Sequence, residues 1–140
     1  MLYTTYLKTL TQCPFCDNKD RIIFENKEAF ITYAKAPYAQ YHILVIPKRH
    51  IDSFLELTKS EDAHIIMLLR KGVKLLHTLG YKNCSILVRD GKDSGKSIKH
   101  LHYHIIPNHR IGDLDIHGEK RKVLTPQETN RLGERLKKKI

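Results

Sequence analysis

The chain has 140 residues, 41% of them hydrophobic, with 25 Lys and Arg against 15 Asp and Glu and a formal net charge of +10. That length suits one domain with a core of its own and no disulfide staples. No apolar stretch approaches the roughly 18 residues of a membrane span, the opening MLYTTYLKTLTQ lacks a signal-peptide layout, and a cytoplasmic location is expected. The charge favours anionic partners, and weak, sequence-independent nucleic-acid binding at low salt is expected from it.

In chain order, the first chemical feature is Cys13-Pro14-Phe15-Cys16. A C-x-x-C pair in a reducing compartment suggests metal or redox chemistry rather than a structural bridge. Two thiolates supply half of a tetrahedral zinc site, and no second local pair completes it. Further ligands must come from distant segments, with His50 and the outermost histidine of a later triplet as candidates. A reduced metal-free pair and a redox pair are the alternatives, and loop rather than helix after Pro14-Phe15 disfavours the latter.

Arg21–Phe24 and Ala29–Lys35 read as strands joined by the turn Glu25-Asn26-Lys27, and Ala36-Pro37-Tyr38-Ala39 as a loop. Tyr41–Ile46 is an apolar strand closed by Pro47. Thr58 and Glu61 form a capping box, and Ala63, Ile66, Leu69, Val73 and Leu76 recur at helical spacing to about Thr78, with Gly80 as the stop. Ser85–Arg89 is another strand, headed by Cys84 as a small buried hydrophobe. The loop Asp90–Lys96 either cradles phosphate, through Gly91, Gly95, Ser94 and Ser97, or is an ordinary polar turn.

That loop feeds His100-Leu101-His102-Tyr103-His104-Ile105-Ile106-Pro107. Strand alternation puts the three imidazoles about 6.6 Å apart on one polar face, with Leu101, Tyr103 and Ile105 toward a core. Such a row is either an incidental solvent face, a three-histidine metal site, or a nucleophilic imidazole between neighbours that bind charge. Thr125-Pro126-Gln127-Glu128 starts a final basic helix, expected to fray at Lys137-Lys138-Lys139. The element order predicts an α+β domain on an antiparallel sheet over residues 1–107. Residues 108–140, set off by Gly112 and Gly118, are expected to pack on or near it as an extension.

The histidine row resembles the signature of the histidine triad (HIT) family, His-φ-His-φ-His-φ-φ with φ apolar. Tyr41–Ile51 is similar to that family's GH-x-LVIPK-x-HI strand, Cys13–Cys16 to its C-x-F-C, and Leu87–Ser97 to the loop before the triad. The resemblance covers residues 12–107 and implies a HIT-like fold: about five antiparallel strands, one long helix and a short one. It further implies nucleophilic attack by His102 on the α-phosphorus of a nucleotide derivative, giving a nucleotidyl-histidine that water cleaves. The same likeness has His104 contacting the phosphate and leaving group, and Ser97 and Gly95 in the phosphate-binding loop. It places structural zinc at Cys13, Cys16, His50 and His100, and a homodimer is common in the family.

Some positions depart from the pattern. Ala34 falls where many members carry an acid for the ribose hydroxyls, Arg89 where asparagine is frequent, Lys96 where glutamine is common, and Tyr41 where glycine is usual. These changes remove ribose or leaving-group contacts or add positive charge, which leaves room for a more phosphate-rich or nucleic-acid substrate. Residues 36–42 also resemble the aprataxin branch, which removes adenylate from DNA ends. A zinc-stabilised binding module without catalysis is the reading from another class, and an intact His102 argues against it.

Overall fold

Short runs of β-branched and aromatic residues, separated by turn formers, build the sheet. In the computed structural model, which describes residues 1–17, 21–108 and 122–139, β1 (Phe24–Glu25), β2 (Ala29–Tyr33), β3 (Ile43–Pro47), β4 (Cys84–Val88) and β5 (Tyr103–Pro107) form one antiparallel sheet. Its order is β1-β2-β3-β5-β4. The pairs Leu44↔His104 and Leu87↔His104 put His104 at the centre of three strands. Asn26 makes the β1–β2 turn by accepting the Glu28 and Ala29 backbone N–H groups at its side-chain oxygen.

The described helices are α1 (Tyr3–Thr9), α2 (Lys59–Thr78) and α3 (Pro126–Lys139). At the start of α2, Thr58 accepts from Glu61 N–H, and the Glu61 carboxylate accepts from Thr58 N–H. Thr125 and Glu128 repeat that exchange ahead of α3. The chain divides into two compact units, Met1–His109 and Arg110–Ile140. Gly112 and Gly118 lie outside the described residues. Among the described residues no helix is long and apolar enough to cross a membrane.

The two faces of the sheet are covered differently. Ile31, Ile43, Val45, Leu101, Tyr103 and Ile105 pack against Ile65, Leu68, Leu69 and Leu76 of α2. A Cβ at Gly72 would stand 2.6 Å from the Ile105 Cδ1 atom, so this glycine sets how close α2 lies to the strands. On the other face Phe15, Phe30, Leu44, Ile46 and Ile98 form a second cluster, joined by Leu7 and Leu10 from the N-terminal segment.

Five expectations need correction. The first strand starts at Phe24 rather than Arg21, because Arg21 gives its carbonyl to the Thr32 hydroxyl. The third starts at Ile43 rather than Tyr41, whose φ of +62° lies in the left-handed region that strands exclude and glycine favours. On α2, Ala63 and Ile66 are exposed while Ile65, Leu68 and Gly72 are buried, so the core-facing stripe is rotated from the one expected. Helix α3 runs unbroken through Lys139. Finally, the histidine row does not face solvent, and only His104 of the three lies within a strand.

Candidate active site

Relative exposures of 0% for His100, 7% for His102 and 8% for His104 make the row an interior one. Residues 1–17 and the loop before the triad lie over it, and Phe15 packs edge-on to both His100 and His102, with ring centroids 5.8 and 5.1 Å away. Each histidine then meets a different partner.

His100 turns toward the cysteines. Its Nδ1 lies 3.3 Å from Cys13 Sγ and 3.6 Å from Cys16 Sγ, and His50 Nδ1 lies 3.2 Å from Cys16 Sγ. One ligand atom from each of these four residues falls within 4.8 Å of all the others. Zinc bonds to sulfur and nitrogen place tetrahedral donors about 3.5 Å apart, so two thiols and two imidazoles here fit a metal ion. The second nitrogen agrees: His100 Nε2–H donates to the Pro47 carbonyl at 2.8 Å, which leaves the Nδ1 lone pair directed at the cluster. Partial burial, with the Cys13 thiol beside it, pushes Cys16 up to about 11; a bound cation favours the thiolate instead.

Two local devices bring His50 to this point. Arg49 forms a bidentate pair with the buried Glu61 carboxylate at 2.7 and 3.2 Å, fixing the loop after β3 to the start of α2. The Leu101 N–H donates to the Ile51 carbonyl at 2.7 Å, which joins that loop to the triad.

His102 and His104 turn away from the cluster into a pocket of about 500 Å³. His102 Nδ1–H donates to the His100 carbonyl at 2.7 Å, so Nε2 carries the lone pair. His104 is set the opposite way. The Tyr38 backbone N–H donates to His42 Nδ1 at 3.2 Å, so the proton of the neutral His42 ring sits on Nε2 and is donated to His104 Nδ1 at 2.9 Å. His104 Nε2 therefore carries a proton. The two neighbouring rings, 4.9 Å apart, thus present one acceptor and one donor.

Burial lowers His102 below the usual imidazole value, with the Lys96 and Arg89 charges adding to it. His104 falls to about 3, through burial first and then the neighbouring His102, His42 and Arg89. Both rings are neutral at neutral pH, which keeps the lone pair available.

Of the loop residues read as a phosphate cradle, Gly91 and Ser94 do not line the pocket, and the Ser94 hydroxyl donates to the Gly91 carbonyl instead. Ser97 and Gly95 line the pocket with His102 and His104, as do Ala34, Arg89 and Lys96. Gly95 has φ +85°, and Ser97 Oγ lies 2.8 Å from the Tyr3 hydroxyl. Sequence reasoning missed His42, whose signal was a polar residue at the head of a wholly apolar strand. It also missed α1, which lends Tyr3, Tyr6 and Leu7 to the wall and carries that spacing openly in YTTYLKT.

The family model described as HIT domain matches residues 16–111. The chain belongs to the HIT family. This HIT protein is 35% identical over 107 residues to the adenosine 5′-monophosphoramidase of Schizosaccharomyces pombe, covering 75% of this chain and 77% of that one. It is 29% identical over 109 residues to an uncharacterized HIT-like protein of Methanocaldococcus jannaschii, covering 74% and 84% respectively. A solved histidine triad nucleotide-binding protein from Candida albicans shares the fold, with TM-score 0.75 over 91% of this chain and 96% of that chain at 20% identity.

Proposed function

We propose that this HIT protein cleaves nucleotide derivatives at the α-phosphorus through a covalent intermediate on His102. The observation that carries the reading is the pair of opposed tautomers: a buried neutral ring with its lone pair in the pocket, beside a ring with its N–H in the same pocket. The relative in S. pombe is an adenosine 5′-monophosphoramidase, which supports a phosphoramidate as the first substrate to test.

In that reading His102 Nε2 attacks phosphorus in line with the leaving nitrogen. The new N–P bond forms as the old one breaks, and the departing nitrogen, already protonated in the substrate, keeps the electron pair and leaves as the amine. His104 Nε2–H and Ser97 donate to the phosphorus oxygens as charge builds, at about 3 kcal/mol per well-placed donor. Water then attacks phosphorus and its proton passes to solvent. The P–N bond electrons return to His102, and nucleoside monophosphate is released. The His100 carbonyl, as hydrogen-bond acceptor, stabilises the positive charge that develops on the His102 ring.

Zinc is the ion we assign to Cys13, Cys16, His50 and His100, where it supplies a cross-link among three chain segments. The donor set supports this role.

The test is a rapid quench of wild-type protein turning over adenosine 5′-monophosphoramidate labelled at phosphorus. Label should appear on protein in an acid-labile, base-stable bond, and His102→Asn should show neither label nor turnover. Near wild-type turnover by His102→Asn would remove the nucleophile assignment.

We also propose a homodimer through the edge strand β4 and the adjoining side of α2. There Ile66 and Ile86 are 49% and 52% exposed and border a groove with Leu69 and Val73, and β4 ends the sheet.

A further inference from the structure

The pocket at His102 and His104 does not close behind them. Tyr6, Pro14, Arg21 and Lys35 line both this pocket and an adjoining groove of about 310 Å³ that runs on past Cys13 to Asp17. Among the described residues, four cations and no carboxylate border the pocket itself.

Those cations differ in what already occupies them. The Lys96 ammonium is bound by the carboxylate and the carbonyl of Asp52. Arg89 crosses Gly95 and stands near enough to His102 and His104 to oppose their protonation, a place suited to the scissile phosphate. Arg21 and Lys35 stand where pocket meets groove. Arg21 lies over the Phe15 and Tyr33 rings at 5.9 and 5.2 Å, and Lys35 lies 4.5 Å from the Tyr6 ring centroid. Neither forms an ion pair among the described residues. Among the described residues Arg21 donates once, from Nη2 to the Tyr33 carbonyl, and its Nε is buried without a hydrogen-bond partner there.

A buried guanidinium N–H without an acceptor is costly, and a planar donor fork held on aromatic faces matches phosphate oxygens. We infer that Arg21 and Lys35 hold a second phosphate of the substrate, so the protein acts on nucleotides bearing one phosphate beyond the group attacked by His102. This rests on the nucleotide reading above. Asp17 borders the groove beyond them, where its charge opposes a longer run of phosphates such as a nucleic-acid strand. The second phosphate either sits on the sugar or extends the 5′ chain.

The experiment is calorimetric titration of the full chain with AMP, ADP and adenosine 3′,5′-bisphosphate at one ionic strength, beside turnover of adenosine 5′-monophosphoramidate. ADP or the bisphosphate should bind about tenfold more tightly than AMP, and the tighter of the two tells where the second phosphate sits. Arg21→Gln with Lys35→Gln should abolish that advantage while AMP affinity stays within about twofold. Lys35→Gln alone, at an exposed position, should reduce the advantage without risk to the fold. Lys59→Gln with Lys74→Gln removes the same charge from α2 and should leave the advantage intact, which separates a site from general attraction to a basic protein. Equal affinity for all three nucleotides, or equal loss in the α2 control, overturns the inference while phosphoramidate turnover keeps the proposed function standing. Absence of any nucleotide binding or turnover removes both.

Discussion

Strands β3 and β5 carry two environments on opposite sides of the same backbone. Ile43, Val45, Tyr103 and Ile105 point under α2 into a wholly apolar layer. Leu44, Ile46 and His104 point the other way, toward a layer that contains Phe15 and ends in a cationic pocket. A 20-residue helix covers the first face. The second lies under a 7-residue helix, a cysteine turn and a glycine loop. The apolar side supplies area removed from water, and the histidine side supplies groups held in one protonation state. Stability and chemistry should therefore separate under mutation.

The largest expected effect lies on the histidine side. His102→Asn should lower phosphoramidate turnover by about 10⁴-fold or more and leave the melting temperature nearly unchanged. A large fall in melting temperature would mean that the two faces are not independent. Next comes the metal cluster. Cys13→Ser with Cys16→Ser should eliminate the proposed zinc, measured by elemental analysis, and lower the melting temperature markedly, because an ion held there would tie the covering segment to His50 and His100. Unchanged metal content and melting would refute that role.

Leu68→Ala is the matching change under α2. It should cost about 2–5 kcal/mol in denaturant unfolding with turnover per folded molecule unaltered. Acid provides a gentler contrast. His102 and His104 titrate below the ordinary imidazole value of 6.5, so below that pH the unfolded chain binds protons that the folded chain refuses. Their contribution to stability is complete above about pH 6.5 and is lost as pH falls toward about 3, where His104 titrates. His104→Gln should flatten the fall in melting temperature with acid, whereas Leu68→Ala should shift the curve down without changing its slope. The smallest effect on turnover belongs to Ile66→Glu with Ile86→Glu, which should yield monomers by sedimentation and leave the pocket's chemistry in place.

Legibility in the sequence followed the same division. Features that depend on neighbours in the chain were readable: the Thr58–Glu61 cap, the Gly80 stop, and the alternation that sends Leu101, Tyr103 and Ile105 to the core. The cluster of Cys13, Cys16, His50 and His100 was legible through the family resemblance, not through neighbours in the chain. What else depended on distant segments was not legible. Nothing in HLHYHIIP reveals that Phe15, nearly ninety positions earlier in the chain, turns a polar row into an interior one. The stripe on α2 was misplaced because Ile66 and Val73 offer a second apolar side, and only the position of the sheet decides which is buried. His42 escaped notice because its function depends on a loop that folds back to present the Tyr38 N–H.

Residue 100 enters the site twice, through its imidazole at the thiols and through its carbonyl at His102 Nδ1. The first can be altered by substitution, and the second belongs to the backbone and survives any change of side chain. Replacing His100 thus leaves the acceptor for His102 chemically intact but frees it to drift. Under the proposed mechanism, damage at this position should appear as imprecise aim of a competent nucleophile, curable by anything that holds the backbone still, whereas damage at residue 102 has no such cure.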